Sequence, residues 1–199
     1  MPASRRGALA VTLTAVLLAG CSAEPEPPPA YRLGGDACGA VNPADFEALT
    51  HATASKTPSE LVPGLGGGSC KMEFDGSGGY ATLSTFIAIH PSGEPAAKAM
   101  YDDFRKGDGE RSGPGTDITL SDIEGLGSAA YLYRQHDDKK PWTVDELWLY
   151  KYNVRHGSLV LTVSGSGYAR EAAGWPSTEE DMKARVRKSV DETMKALRP

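Results

Sequence analysis

Apolar positions recur along this chain with two periods, and the changes of period mark its elements. Asn42-Pro43-Ala44-Asp45 reads as a helix start, with Asn42 as cap, Pro43 in the first turn and Asp45 near the positive end of the helix dipole. Val41 is spaced to staple onto Phe46, so Phe46 and Leu49 face inward. Residues 51–68 read as loop from their Thr, Ser, Pro and Gly content. Residues 70–74 and 80–89 are strand-like around Asp75-Gly76-Ser77-Gly78-Gly79 and form a hairpin, with Leu83, Ile87 and Ile89 on one face. From Glu94 to Lys106 the period lengthens: Ala97, Met100, Tyr101 and Phe104 make one helical stripe, and Gly107 is the expected stop.

A glycine-rich loop over 107–116 then leads to four strands at 117–123, 129–135, 144–154 and 158–163, the last two turned by Arg155-His156-Gly157. Ser177-Thr178-Glu179-Glu180 matches a capping box, and Met182, Val186, Val190, Met194 and Leu197 line one face of a closing helix. Runs of strands joined by short turns predict an α+β domain: an antiparallel sheet of about six strands covered by three amphipathic helices.

The N-terminus follows a different pattern. Arg5 and Arg6 precede an uncharged, mostly apolar run from Ala8 to Ala19, whose helix would span about 18 Å, short of the roughly 30 Å hydrocarbon core. Residues 1–20 therefore read as a signal peptide rather than a membrane span. Leu18-Ala19-Gly20-Cys21 resembles the lipobox of bacterial lipoproteins, and the resemblance implies that Cys21 is lipidated and becomes the first mature residue. Ser4-Arg5-Arg6 partly resembles a twin-arginine export motif, but Gly7-Ala8-Leu9 lacks the two bulky apolar residues that usually follow it, so the export route stays open. Residues 21–35 are read as the lipidated cysteine and a spacer, since Glu24-Pro25-Glu26-Pro27-Pro28-Pro29 has nothing to bury. A proline-rich ligand for a partner groove is the alternative. The domain is expected over 36–199.

Charge narrows the partners. The 199 residues carry a formal net charge of -5, and loss of residues 1–20 removes two arginines and no acid, leaving 19 basic against 26 acidic side chains. Such a chain offers no basic field for nucleic acid, and its membrane partner is the lipid anchor alone. With Cys21 lipidated, Cys38 and Cys70 remain as the one intramolecular pair, and an oxidising compartment predicts a disulfide between them. A metal or redox pair is the competing reading, against which stand the lack of Cys-x-x-Cys and of a histidine close in sequence.

Taken together, several features are similar to small actinobacterial lipoproteins of unknown function. They are the lipobox, the proline-rich spacer, a cysteine before a short capped helix, a second cysteine opening a strand, Ile123-Glu124-Gly125-Leu126-Gly127-Ser128-Ala129-Ala130 before a strand, and the final helix. Some relatives of that family resemble PsbP-type α/β/α sandwiches, which is the fold the resemblance implies. It supplies no catalytic residues.

Catalytic motifs are correspondingly sparse. His51, His90, His136 and His156 lie far apart with no metal-clamping spacing, so no metal and no cofactor is expected. The glycine clusters at 64–69 and 107–113 lack the following helix that phosphate binding needs. Ser77 and Ser166 sit among glycines that suit turns. Trp148, Tyr150 and Tyr152 alternate along one strand, and Tyr131 and Tyr133 along its expected neighbour. Either they form a stacking platform for a sugar, a peptide strand or a small apolar ligand, or they pack beneath the last helix. The expectation is a lipid-anchored, non-enzymatic protein on the outer face of the cytoplasmic membrane, binding a cell-envelope ligand or partner protein. The alternatives are an exported enzyme such as a hydrolase, or a structural or secretion-linked subunit.

Overall fold

The computed structural model describes residues 30–60, 65–112, 117–137, 147–170 and 179–199. Cys21 and residues 1–20, the expected signal peptide, lie outside the described residues. A 3-10 turn, Ala37–Ala40, precedes α1 (Ala44–Thr50), β1 (Ser55–Glu60), β2 (Gly66–Gly76), β3 (Gly79–Ile89) and α2 (Glu94–Arg111). There follow β4 (Ile118–Asp122), β5 (Ala129–Asp137), β6 (Leu147–His156), β7 (Leu159–Ala169) and α3 (Glu179–Ala196). The seven strands form one sheet in the order β1-β2-β3-β7-β6-β5-β4, antiparallel at every pairing. The class is α+β, as the runs of strands require.

Strand alternation gives the sheet two unlike faces. Cys70, Met72 and Phe74 of β2, Leu83 and Ile87 of β3, Leu161 and Val163 of β7, and Tyr150, Tyr152 and Val154 of β6 point to one side. There α1 and α3 cover them, α3 burying Met182, Val186, Val190, Met194 and Leu197. On the other side α2 lies over β4, β6 and β7, enclosing a smaller cluster of Ala88, Ala97, Tyr101, Tyr131, Tyr133 and Val160.

Four elements depart from the sequence expectation, each for a tertiary reason. β1 falls within the expected loop at 51–68: all six of its residues are exposed, so it has no apolar alternation to reveal it. It pairs with β2, and Lys56 and Pro58 sit on the sheet edge, where they discourage pairing with another chain. β7 continues six residues past Val163, through glycines that read as a turn. Gly165 is needed there because a Cβ would come within 2.5 Å of Val186 Cγ2 and 3.1 Å of Phe46 Cζ, so its bare backbone lets α3 and α1 seat on the sheet. α2 runs through the expected stop at Gly107 and through Gly109 to Arg111. Finally, the last residues of the expected spacer pack on the domain: Tyr31 is buried, its hydroxyl lies 2.6 Å from His156 Nδ1, and the Arg32 N–H donates to the Leu197 carbonyl at 2.9 Å.

Cys38 and Cys70 are joined by a disulfide, with Cα atoms 4.9 Å apart, as the cysteine count predicted. It ties the 3-10 turn to β2 across a sequence separation of 32 residues.

Candidate functional site

The extension of α2 builds a site on the sheet among the described residues. Continuing the stripe of Ala97, Tyr101 and Phe104 by one further turn brings Asp108 to the sheet, where its side chain keeps 7% of its exposure. A carboxylate in that position needs partners, because an unpaired buried charge costs several kcal/mol, about 3–5 when a pair is broken. β5 and β6 supply them. The Tyr131 hydroxyl donates to Asp108 Oδ2 at 2.8 Å, and Lys151 Nζ donates to Oδ1, its side chain 21% exposed. These bonds hold the two-glycine turn of α2 helical against a propensity cost of about 1 kcal/mol per glycine.

Lys151 Nζ also lies 4.4 Å from the centre of the Tyr133 ring, a cation–π contact. Burial, then the bond to Asp108, pushes the Tyr131 phenol far above its ordinary pKa, and burial raises that of Tyr133. Both rings stay neutral at every physiological pH.

Between α2 and the sheet, beside this pair, is a cleft of about 330 Å³. Its α2 wall is Asp103, Phe104, Gly107, Asp108 and Arg111, and its sheet floor is Phe86, Lys151, Asn153 and Thr162. Asn153 decides its character. The residue is 1% exposed, and its Oδ1 accepts a bond from Thr162 Oγ1 at 2.6 Å. Its Nδ2 is buried and has no hydrogen-bond partner among the described residues. Leaving such a donor unpaired costs about 1–3 kcal/mol, a cost that an acceptor entering the cleft would remove.

Beyond Phe86 and Thr162 the same face of the sheet is open. A second groove of about 370 Å³ shares those two residues and continues over Ser84, Ser164 and Ser69. Further along, Thr82 and Ser166 hydroxyls bond at 2.8 Å, and the Tyr80 and Tyr168 rings stack at 5.6 Å.

The aromatic residues singled out from sequence divide between the two faces and do not make one platform. Tyr150 and Tyr152 are buried in the core beneath α3, and Tyr131 and Tyr133 are buried beneath α2. One-residue alternation explains the division: in the β5–β6 register Tyr131 pairs with Asn153 and Tyr133 with Lys151, so the rings of the two strands sit on opposite sides. Trp148 is half-buried, stacked on His136 at 3.6 Å, with the Arg134 guanidinium 5.3 Å from its ring centre. The exposed stacking platform is therefore corrected for the four tyrosines, which are core, although Tyr131 and Tyr133 carry the cleft's charged pair from below.

Asp108 and Asn153 were not foreseen. The signal for Asp108 was present, since it continues the 97, 101, 104 stripe, but two glycines masked it. Among the described residues no group of three metal-ligating side chains comes together, and no helix is long and apolar enough to cross a membrane.

No family model matches the chain, and no curated protein matches it. Among solved structures it is similar to the extracellular domain of PknH from Mycobacterium tuberculosis, at 10% identity and a TM-score of 0.45, covering 79% of this chain and 94% of that one.

Proposed function

We propose that this chain is an exported lipoprotein, held by Cys21 on the outer face of the cytoplasmic membrane, whose domain binds a small cell-envelope ligand in the α2 cleft without performing chemistry on it. The observation that carries the binding reading is the buried Asn153 Nδ2, without a partner among the described residues, beside the Asp108–Lys151 pair. The pair supports binding over catalysis, because both carboxylate oxygens of Asp108 are already committed to Tyr131 and Lys151. Export is supported by the Cys38–Cys70 disulfide, which an oxidising compartment maintains, and by the composition of residues 1–20. Two acyl chains hold a protein stably at a bilayer where one would exchange.

Two measurements test this reading. Cys21→Ser should move the chain from the membrane fraction to the soluble one or leave it unprocessed; normal processing with membrane retention contradicts the anchor. Native mass spectrometry of the chain extracted from membranes should show a bound small molecule that is absent from Gly107→Leu. Gly107 lines the cleft, and a Cβ there meets nothing within 4 Å, so the variant fills the cleft without crowding the core. The same bound mass on both extracted proteins, or none on either, contradicts the binding reading.

A further inference from the structure

We propose that the cleft and the open sheet face next to it bind a short neutral oligosaccharide, with Asn153 donating to a sugar oxygen at the closed end. This rests on the reading of the α2 cleft as a ligand site and adds the class of ligand. Four features of the lining argue for it.

The first is charge. Asp103 and Asp108 are balanced by Arg111 and Lys151, and Lys151 is already paired with Asp108. An anion entering the cleft meets two carboxylates and a cation meets two basic groups, so neither gains a net field. A neutral polar molecule is not penalised.

The second is the Asn153 Nδ2 donor in the cleft floor, buried and without a partner among the described residues, which an acceptor oxygen of a bound molecule would satisfy. The third is the pair of rings at the rim: Phe86 and Phe104 meet edge to face with centroids 5.6 Å apart, and both are half-buried. An aromatic surface beside polar groups suits a sugar ring, which presents C–H bonds on its faces and hydroxyls at its edge.

The fourth is what continues from the rim. Thr162, Ser164 and Ser166 alternate on β7, and Ser84 and Thr82 face them from β3 in register. From Thr162 to Ser166 the strand advances about 13 Å. Each hydroxyl both donates and accepts, as sugar hydroxyls do, so the row can track a chain of sugars beyond the cleft.

The test is an NMR titration of the full chain in sugar-free zwitterionic micelles, following the Asn153 side-chain amide. The probes are cello-, malto-, manno- and arabino-oligosaccharides from monosaccharide to pentasaccharide, with inorganic phosphate and a short neutral peptide as comparisons. The expected result is that at least one neutral series moves the Asn153 amide and binds more tightly with length. Gly107→Leu should weaken that binding by about tenfold or more, and Ser164→Leu should remove the gain with length while leaving the shortest ligand unaffected. A shift with phosphate or peptide and with no saccharide overturns the saccharide and leaves the cleft as a ligand site. No shift with any probe also overturns the saccharide, and the native-mass comparison of Gly107→Leu then decides whether the cleft binds at all.

Discussion

The two faces of the sheet are made by the same strands and differ in almost everything else. On β7, Leu161, Val163 and Gly165 are buried beneath α3, while Thr162, Ser164 and Ser166, which alternate with them, are half-buried on the opposite side. The packed face is held by many interchangeable apolar contacts. The other is held by one helix over half its width, and the remainder carries hydroxyls, a balanced pair of charges and an unsatisfied amide. Buried hydroxyls of the packed face, Thr85 and Thr193, also lack partners among the described residues, but the Asn153 amide is the one that lies in the floor of the α2 cleft. On the proposed reading, stability and recognition are divided between the faces.

That division makes opposite substitutions on one strand informative. Leu161→Ala should destabilise by about 2–5 kcal/mol through the cavity it leaves, and Ser164→Ala should change stability by less than about 0.5 kcal/mol. Urea unfolding of both variants reads the difference, and equal losses would erase the distinction between the faces. Removing the disulfide with Cys38→Ala and Cys70→Ala together should cost about 3–4 kcal/mol on the loop-entropy account, since it closes a separation of 32 residues. A double variant with an unchanged midpoint would mean that the 3-10 turn is held by packing alone.

The α2 side is predicted to be intermediate. Asp108→Ala leaves Lys151 beside Tyr133 without its anion, at a cost of about 2 kcal/mol, less than for a fully buried pair because Lys151 reaches solvent. Helicity by circular dichroism should fall with it as the turn around Gly107 and Gly109 is released. Retained helicity would show that the turn does not depend on the ion pair.

The smallest effect concerns pH. Burial, then Arg198, lowers the pKa of His156 from its ordinary value near 6.5, so the unfolded chain binds a proton more readily than the folded one. Stability from this group is present above about pH 6.5 and declines as pH falls toward its folded pKa. His90 is lowered by burial as well and adds to the same slope. Melting temperature should therefore drop on acidification below pH 6.5, less steeply in His156→Gln, and an unchanged slope would exclude His156 as a contributor.

Much of this organisation was legible in the residues. The amphipathic stripe of α3, the β2–β3 and β6–β7 hairpins and the cysteine pair each rest on a local signal strong enough to survive tertiary context. Besides the all-exposed β1 and the packed end of the expected spacer, other features were hidden by residues whose meaning depends on a distant neighbour. Gly165 reads as a turn until Val186 and Phe46 are placed against it. Gly107 reads as a helix stop until Asp108 is tied to Lys151 and Tyr131. The alternating tyrosines of β5 and β6 read as one surface until the register sets them on opposite sides. The candidate site was almost wholly hidden, since it joins residues 86, 108, 153 and 162 from four elements.

The claim that recognition belongs to the open face is tested by returning to the stripped chain the small molecules eluted from the membrane-extracted protein, and mapping the amide resonances that move. The account predicts movement at Phe86, Asp108, Asn153, Thr162 and Ser164, with the residues beneath α3 unmoved. Movement concentrated at α3 or around Trp148 and His136, with the cleft silent, would contradict it.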